Sequence, residues 1–158
     1  MATQYTAGLS AGQVLTAATM NQIGAAWETW TPALTASTTN PTLGTGSSQT
    51  GRYGRIQKTV YGQGQITFGT SGTNNGAGFY FVSIPITAQA AGSICGTYQA
   101  YDNSTATIDQ GLLIMDTTSR MALYRNGTPG SVFLIAGTVP WVWAASDFIR
   151  VQFQYEAA

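Results

Sequence analysis

The sequence predicts an all-β protein, an antiparallel β-sandwich of jelly-roll-like type behind a short N-terminal helical attachment segment. Three observations carry this reading. Residues 148–155 alternate strictly, with Ile149, Val151, Phe153 and Tyr155 apolar and Arg150, Gln152 and Gln154 polar, which is the period of a strand with one buried face. From Trp27 onward, β-rich segments alternate with glycine-bearing turns, about eight to ten strands in all, with no internal repeat. Helical character is confined to residues 1–26, which are free of charge and rich in Ala and Thr.

Within that attachment segment, Thr16 is placed to N-cap the run Ala17–Ile23, and Gly24 to end it in a left-handed cap. So short a helix, about two turns, builds no core of its own from Leu15, Met20 and Ile23 and needs a surface to lie on. Residues 27–158 form the sandwich domain. There, 27–34 reads as a strand broken at Pro32, and the Ser/Thr/Asn/Gly stretch 36–51 reads as a loop. Segments 52–60 and 61–69 read as strands, with Gly62 and Gly64 marking a bulge or tight bend. Asn75-Gly76 leads into a strand at 79–84 that Pro85 ends. Strands follow at 93–101, 106–115, 120–125 and 131–137, the last two joined at Asn126-Gly127, the strongest hairpin signal in the chain.

Composition excludes several kinds of function. The 158 residues carry six Lys+Arg against six Asp+Glu, 8% charged in all, with no histidine and one cysteine; soluble domains usually carry about 25% charge. Histidine is the commonest general base and metal ligand, and its absence removes both roles. A single thiol excludes an internal disulfide framework. Balanced charge without a basic stripe argues against nucleic acid. No apolar run approaches the roughly 18 residues that span a bilayer, and the N-terminus has no signal-peptide pattern, so the expected site is the cytosol of the producing cell. No charge falls between Lys58 and Asp102. That gap predicts central strands covered on both faces, one by the opposing sheet and one by a neighbouring subunit.

No catalytic, metal or cofactor constellation emerges. Asp102, Asp109, Asp116 and Asp147 are scattered, suiting turn and surface roles. Gly46 to Tyr53 has the glycine spacing of a phosphate-binding loop, but Arg52 stands in place of its lysine and Tyr53 in place of its Ser or Thr. Cys95, in an apolar context, reads as a buried small hydrophobe. Two glycosylation acceptor patterns, at Asn103 and Asn126, have no consequence without a secretory signal. The cluster Arg52, Arg55, Lys58 alternates faces along a strand and reads as a solvated edge. The aromatic residues are more informative. Trp30, Tyr61, Tyr80, Trp141 and Trp143 are candidates either for a subunit interface or for a glycan-stacking platform, and their spacing leaves both open.

The stretch Ala7–Asn21, with its LTA-x-x-MN core, resembles the segment that opens many small bacteriophage minor tail and fibre-like proteins. Residues 27–46, 51–69 and 140–158 are similar to that group's W-x-x-(Y/W)-TP, G-R-Y, W-A-x-(G/S)-D and terminal Y-E segments, while 85–135 is least alike. The resemblance implies a non-enzymatic virion structural protein: a homotrimeric tail or fibre-type component, exposed on the particle and placed to contact the host surface. It also implies that Val14, Leu15, Met20, Asn21, Ile23 and Trp27 attach the subunit to other virion proteins, of the tail or the major capsid lattice. Such a protein is assembled in the host bacterial cytoplasm and resides in the virion, with no membrane insertion and no nucleic-acid partner. The chain has no long shaft, so a capsid decoration (cement) protein stabilising the head is the alternative. A carbohydrate-binding module recognising a host surface glycan is the second.

Overall fold

The computed structural model describes residues 26–125 and 133–158. These form ten strands and no helix: β1 (Glu28–Trp30), β2 (Leu34–Ala36), β3 (Ser48–Ile56), β4 (Thr59–Thr67), β5 (Tyr80–Ser83), β6 (Ile94–Asp102), β7 (Thr107–Thr117), β8 (Arg120–Arg125), β9 (Phe133–Leu134) and β10 (Phe148–Glu156). The expected N-terminal helix, with Val14, Leu15, Met20, Asn21 and Ile23, lies outside the described residues.

All pairings are antiparallel, in the order β1-β3-β4-β10-β6-β7-β8-β5-β2, with β9 on β8. The strands therefore join in one sheet that curls into a half-barrel, where the sequence reading expects two facing sheets. The continuity comes from β8, which pairs with β7 on one side and β5 on the other. The C-terminal β10 is central and pairs with β4 over its whole length.

The alternation read in 148–155 sets the two faces. Ile149, Val151, Phe153 and Tyr155 are buried, with Val60, Ile66 and Phe68, Tyr80 and Val82, Leu113 and Met115, Met121 and Leu123, and Leu34 from the far edge. Trp143 is 2% exposed; it stacks on Phe68 at 5.2 Å and donates its indole N–H to the Ala136 carbonyl at 2.9 Å.

Four local expectations are corrected. The β3–β4 hairpin turns at Gln57-Lys58, not between residues 60 and 61. Gly62 and Gly64 form no bulge, since β3 and β4 keep register throughout. They are bare because rings cover them: a Cβ on Gly62 would lie 2.6 Å from the Phe153 ring, and one on Gly64 would lie 3.3 Å from Trp30. The loop 36–51 is partly structured, with Thr39, Thr42 and Thr45 bridged to Ala77, Asn74 and Ser71. Asn75-Gly76, expected as a turn, lies within that ribbon between the Asn74 and Ala77 bridges, and Gly76 takes φ +63 there, where a Cβ would lie 2.1 Å from the Thr39 carbonyl oxygen. The Asn126-Gly127 turn lies outside the described residues, while the strands on either side pair through Tyr124–Leu134 and Arg125–Phe133.

The uncharged run 59–101 supplies β4, β5 and β6. Within the single chain, the second face of β4 and β6 is open and bears Gln63, Gln65, Thr97 and Gln99. It is uncharged but polar.

Candidate functional site

The polar positions of β10 face away from the core, and antiparallel register lines them up with like positions on five other strands. One row runs Thr29, Arg52, Gln63, Gln152, Thr97, Leu112, and the next runs Thr50, Gln65, Arg150, Gln99, Gln110. Together they floor an open trough of about 830 Å³. A second hollow of about 310 Å³ shares Gln63, Thr97 and Gln152 with the first and reaches Trp27, Tyr61 and Gln154.

Aromatic pairs stand at both ends of this face. Trp27, 50% exposed, packs edge-on to Tyr61 with ring centroids 5.3 Å apart. Tyr61 in turn lies over Gly54, where a Cβ would meet its ring at 2.7 Å. At the other end Phe148 stacks on Tyr101 at 5.0 Å. Each pair carries an arginine. Arg52 lies 4.9 Å from the Trp27 ring centre and Arg150 4.3 Å from that of Phe148, distances at which a cation is attracted by the ring quadrupole.

Both guanidinium groups are held by neutral amides. Arg150 donates from Nε to the Gln65 side-chain oxygen at 2.8 Å, and Gln65 donates onward to Thr67. With its amide oxygen turned toward Arg52, Gln63 accepts from Nε at 2.9 Å and from Nη2 at 3.0 Å. No carboxylate lines the trough. Asp109 pairs with Arg125 at 2.7 Å and Asp116 with Arg120 at 2.7 Å. Glu28 accepts from the Tyr53 hydroxyl at 2.6 Å, which, with burial, pushes the Tyr53 pKa up to about 12. Asp102 and Asp147 tie turns together. The Ser104 and Thr105 hydroxyls and backbone amides hold the Asp102 carboxyl below its usual range. Asp147, fully buried, accepts from the backbone N–H groups of Asn103 and Ala144.

The arrangement suits binding of a polar molecule: planar amides and guanidinium groups offer fixed hydrogen-bond directions, and the half-exposed Trp27 ring offers apolar surface. Among the described residues no group of three or more His, Cys, Asp or Glu is placed to hold a metal ion. Cys95 is buried against the Leu113 carbonyl, and burial pushes its thiol up to about 11.

The candidates named from sequence separate into two groups. Trp143 and Tyr80 lie in the core, Trp30 and Trp141 pack against it half-buried, and none of the four lines the trough. Tyr61 reaches the polar face, and it is joined there by Trp27, which the resemblance assigned to attachment. Arg52 also faces the trough, while Arg55 projects to the opposite face and Lys58 sits in the β3–β4 turn. Sequence reasoning missed Gln63, Gln65, Gln99, Gln110, Phe148 and Arg150 as site residues. The signal was the polar half of the alternation in 148–155, which marks the open face as clearly as the apolar half marks the core.

Comparison of the chain with known protein families, with curated proteins and with solved structures finds no match.

Proposed function

We propose that this chain is a non-enzymatic structural component of a bacteriophage particle, a homotrimer of tail or fibre type that meets the host surface through the polar trough. One observation carries the reading: a face crossing six strands whose trough is lined by amides, two arginines and no carboxylate, with an aromatic pair at either end. A face whose only task was to pack against a lattice partner would be expected to be more apolar at its centre. The order of the four sequence segments similar to phage tail and fibre-like proteins supports the particle assignment. Scarce charge supports assembly with other subunits. In this reading the half-barrel is the larger part of a jelly-roll-like sandwich, with β8, β5 and β2 as its covering leaf, and residues 1–26 hold the subunit to other virion proteins.

Adsorption competition tests this. Purified protein is expected to bind susceptible cells and to slow adsorption of the particle that carries it. A protein that leaves adsorption unchanged and is present in the copy number of the capsid lattice would instead be a head decoration protein.

A further inference from the structure

Taking the polar face as the recognition surface proposed above, we infer that the trough binds an acidic polysaccharide, with anionic groups of the sugar chain seated at Arg52 and Arg150.

Of the six basic residues, Arg120 and Arg125 are paired with carboxylates, and Arg55 and Lys58 lie off the trough. Arg52 and Arg150 remain, bonded to uncharged amides. No acidic residue lines the trough: Glu28, Asp102, Asp109, Asp116 and Asp147 are engaged as described, and Glu156, on the same face of β10, stands four residues beyond Gln152 beside Thr59. Residues 1–25 and 126–132 carry no acidic side chain that could neutralise the pair. The two guanidinium groups are thus oriented by ring stacking and amide bonds, with their charge left uncompensated. A ligand that supplies the anion makes a charge-assisted bond to each.

The remaining lining identifies the rest of the ligand. The amides of Gln99, Gln110 and Gln152 and the hydroxyls of Thr29, Thr50 and Thr97 both donate and accept, as sugar hydroxyls do. The aromatic pairs flank the trough, and Trp27, the exposed ring among them, offers apolar surface to the C–H face of a sugar. They mark levels six residues apart on β10, at Phe148 and at Gln154 opposite Tyr61, or about 20 Å, which is the length of several sugar rings rather than of one. Arg52 and Arg150 are separated by two strand spacings and two residues, about 12 Å, so they address separate groups of an extended chain. A nucleic acid, with a phosphate at every residue, would call for a denser run of cations.

The test uses the full chain on an immobilised panel of uronate-, sialate- and phosphate-bearing polysaccharides, each beside its neutral esterified or dephosphorylated form. The expected result is binding to at least one acidic member that weakens with added salt, with at least tenfold weaker binding to its neutral form. Arg52→Gln with Arg150→Gln is expected to lower that binding at least tenfold, while Lys58→Gln, off the trough, leaves it unchanged. Unaltered circular dichroism and a still-unreactive Cys95 show that the double variant is folded. Equal binding of neutral and acidic forms, binding unaffected by the double variant, or no binding to any acidic member overturns the inference. Adsorption competition is read separately: competition that persists without acidic-glycan binding defeats only this inference, whereas loss of both defeats the functional reading as well.

Discussion

Trp27 stands edge-on to Tyr61, their rings at 86° and 5.3 Å apart, at the point where the chain enters the sheet. The sequence resemblance assigned Trp27 to attachment, and the aromatic content of the chain made Tyr61 an interface or stacking candidate. The fold puts them in one cluster, with Arg52 over the indole. Of the four tryptophans, Trp27 is the one with half its surface exposed.

Trp27→Ala is therefore expected to abolish the change in tryptophan emission that a bound ligand causes. It should alter stability by no more than about 1 kcal/mol, since an exposed ring contributes little burial. Fluorescence titration and urea unfolding of the same variant check both parts.

Packing makes a contrasting demand at Trp143. Trp143→Ala removes a buried ring stacked on Phe68 and is expected to cost about 3–5 kcal/mol. At Trp30 the indole N–H is buried and has no acceptor among the described residues. Trp30→Phe should then be tolerated within about 1 kcal/mol, because it deletes a donor that gains nothing on folding. Denaturant midpoints of the two variants separate these effects.

Gly96 tests the register of the central strands. It pairs with Phe153, and a Cβ there would lie 2.0 Å from the Gln152 carbonyl oxygen, which is rigid backbone. Gly96→Ala should force β6 from β10 and cost about 2 kcal/mol or more. A midpoint in urea equal to that of the parent would show that the strands are not paired in this way.

The tyrosines set the alkaline limit of stability. Tyr53 is raised to about 12 by its bond to Glu28 and by burial, Tyr155 to about 12 by burial, and Tyr80 and Tyr98 are also raised by burial. An unfolded tyrosine ionises near pH 10. A raised native pKa gives stability that is complete below pH 10 and lost as pH climbs toward 12. Tyrosinate absorbance of the buried rings should rise in a step above pH 10 that coincides with loss of circular dichroism. At the acid end, the lowered Asp102 carboxyl contributes stability above about pH 4 that is lost on further acidification. A single tyrosinate step near pH 10 with the fold intact would contradict the burial.

Much of the architecture was legible in the sequence because strand periodicity is a local property. Residues 148–155 alone specify a strand, its buried face and its open face, whereas Asn75-Gly76, read as a turn, lies inside a ribbon between the Asn74 and Ala77 bridges. The hairpin at Gln57-Lys58 was not legible, because neither residue is a turn former and Gln57 takes its positive φ within a hairpin set by the pairing on either side. Gly62 and Gly64 were misread for a related reason: what fills the space above a strand glycine is a ring from a distant strand, here Phe153 and Trp30. The site was least legible of all. Arg52 and Arg150 are 98 positions apart in sequence and become neighbours on one face only because β4 lies between β3 and β10.

The central claim is that recognition runs through this face, and obstructing its floor tests it most directly. Gln152 is exposed at the middle of the trough, so Gln152→Trp fills that space without entering the core. Labelled parent protein is expected to bind susceptible cells, and the equally well-folded Gln152→Trp variant to lose that binding by at least tenfold. Equal binding of the two proteins to cells would contradict the assignment of this face.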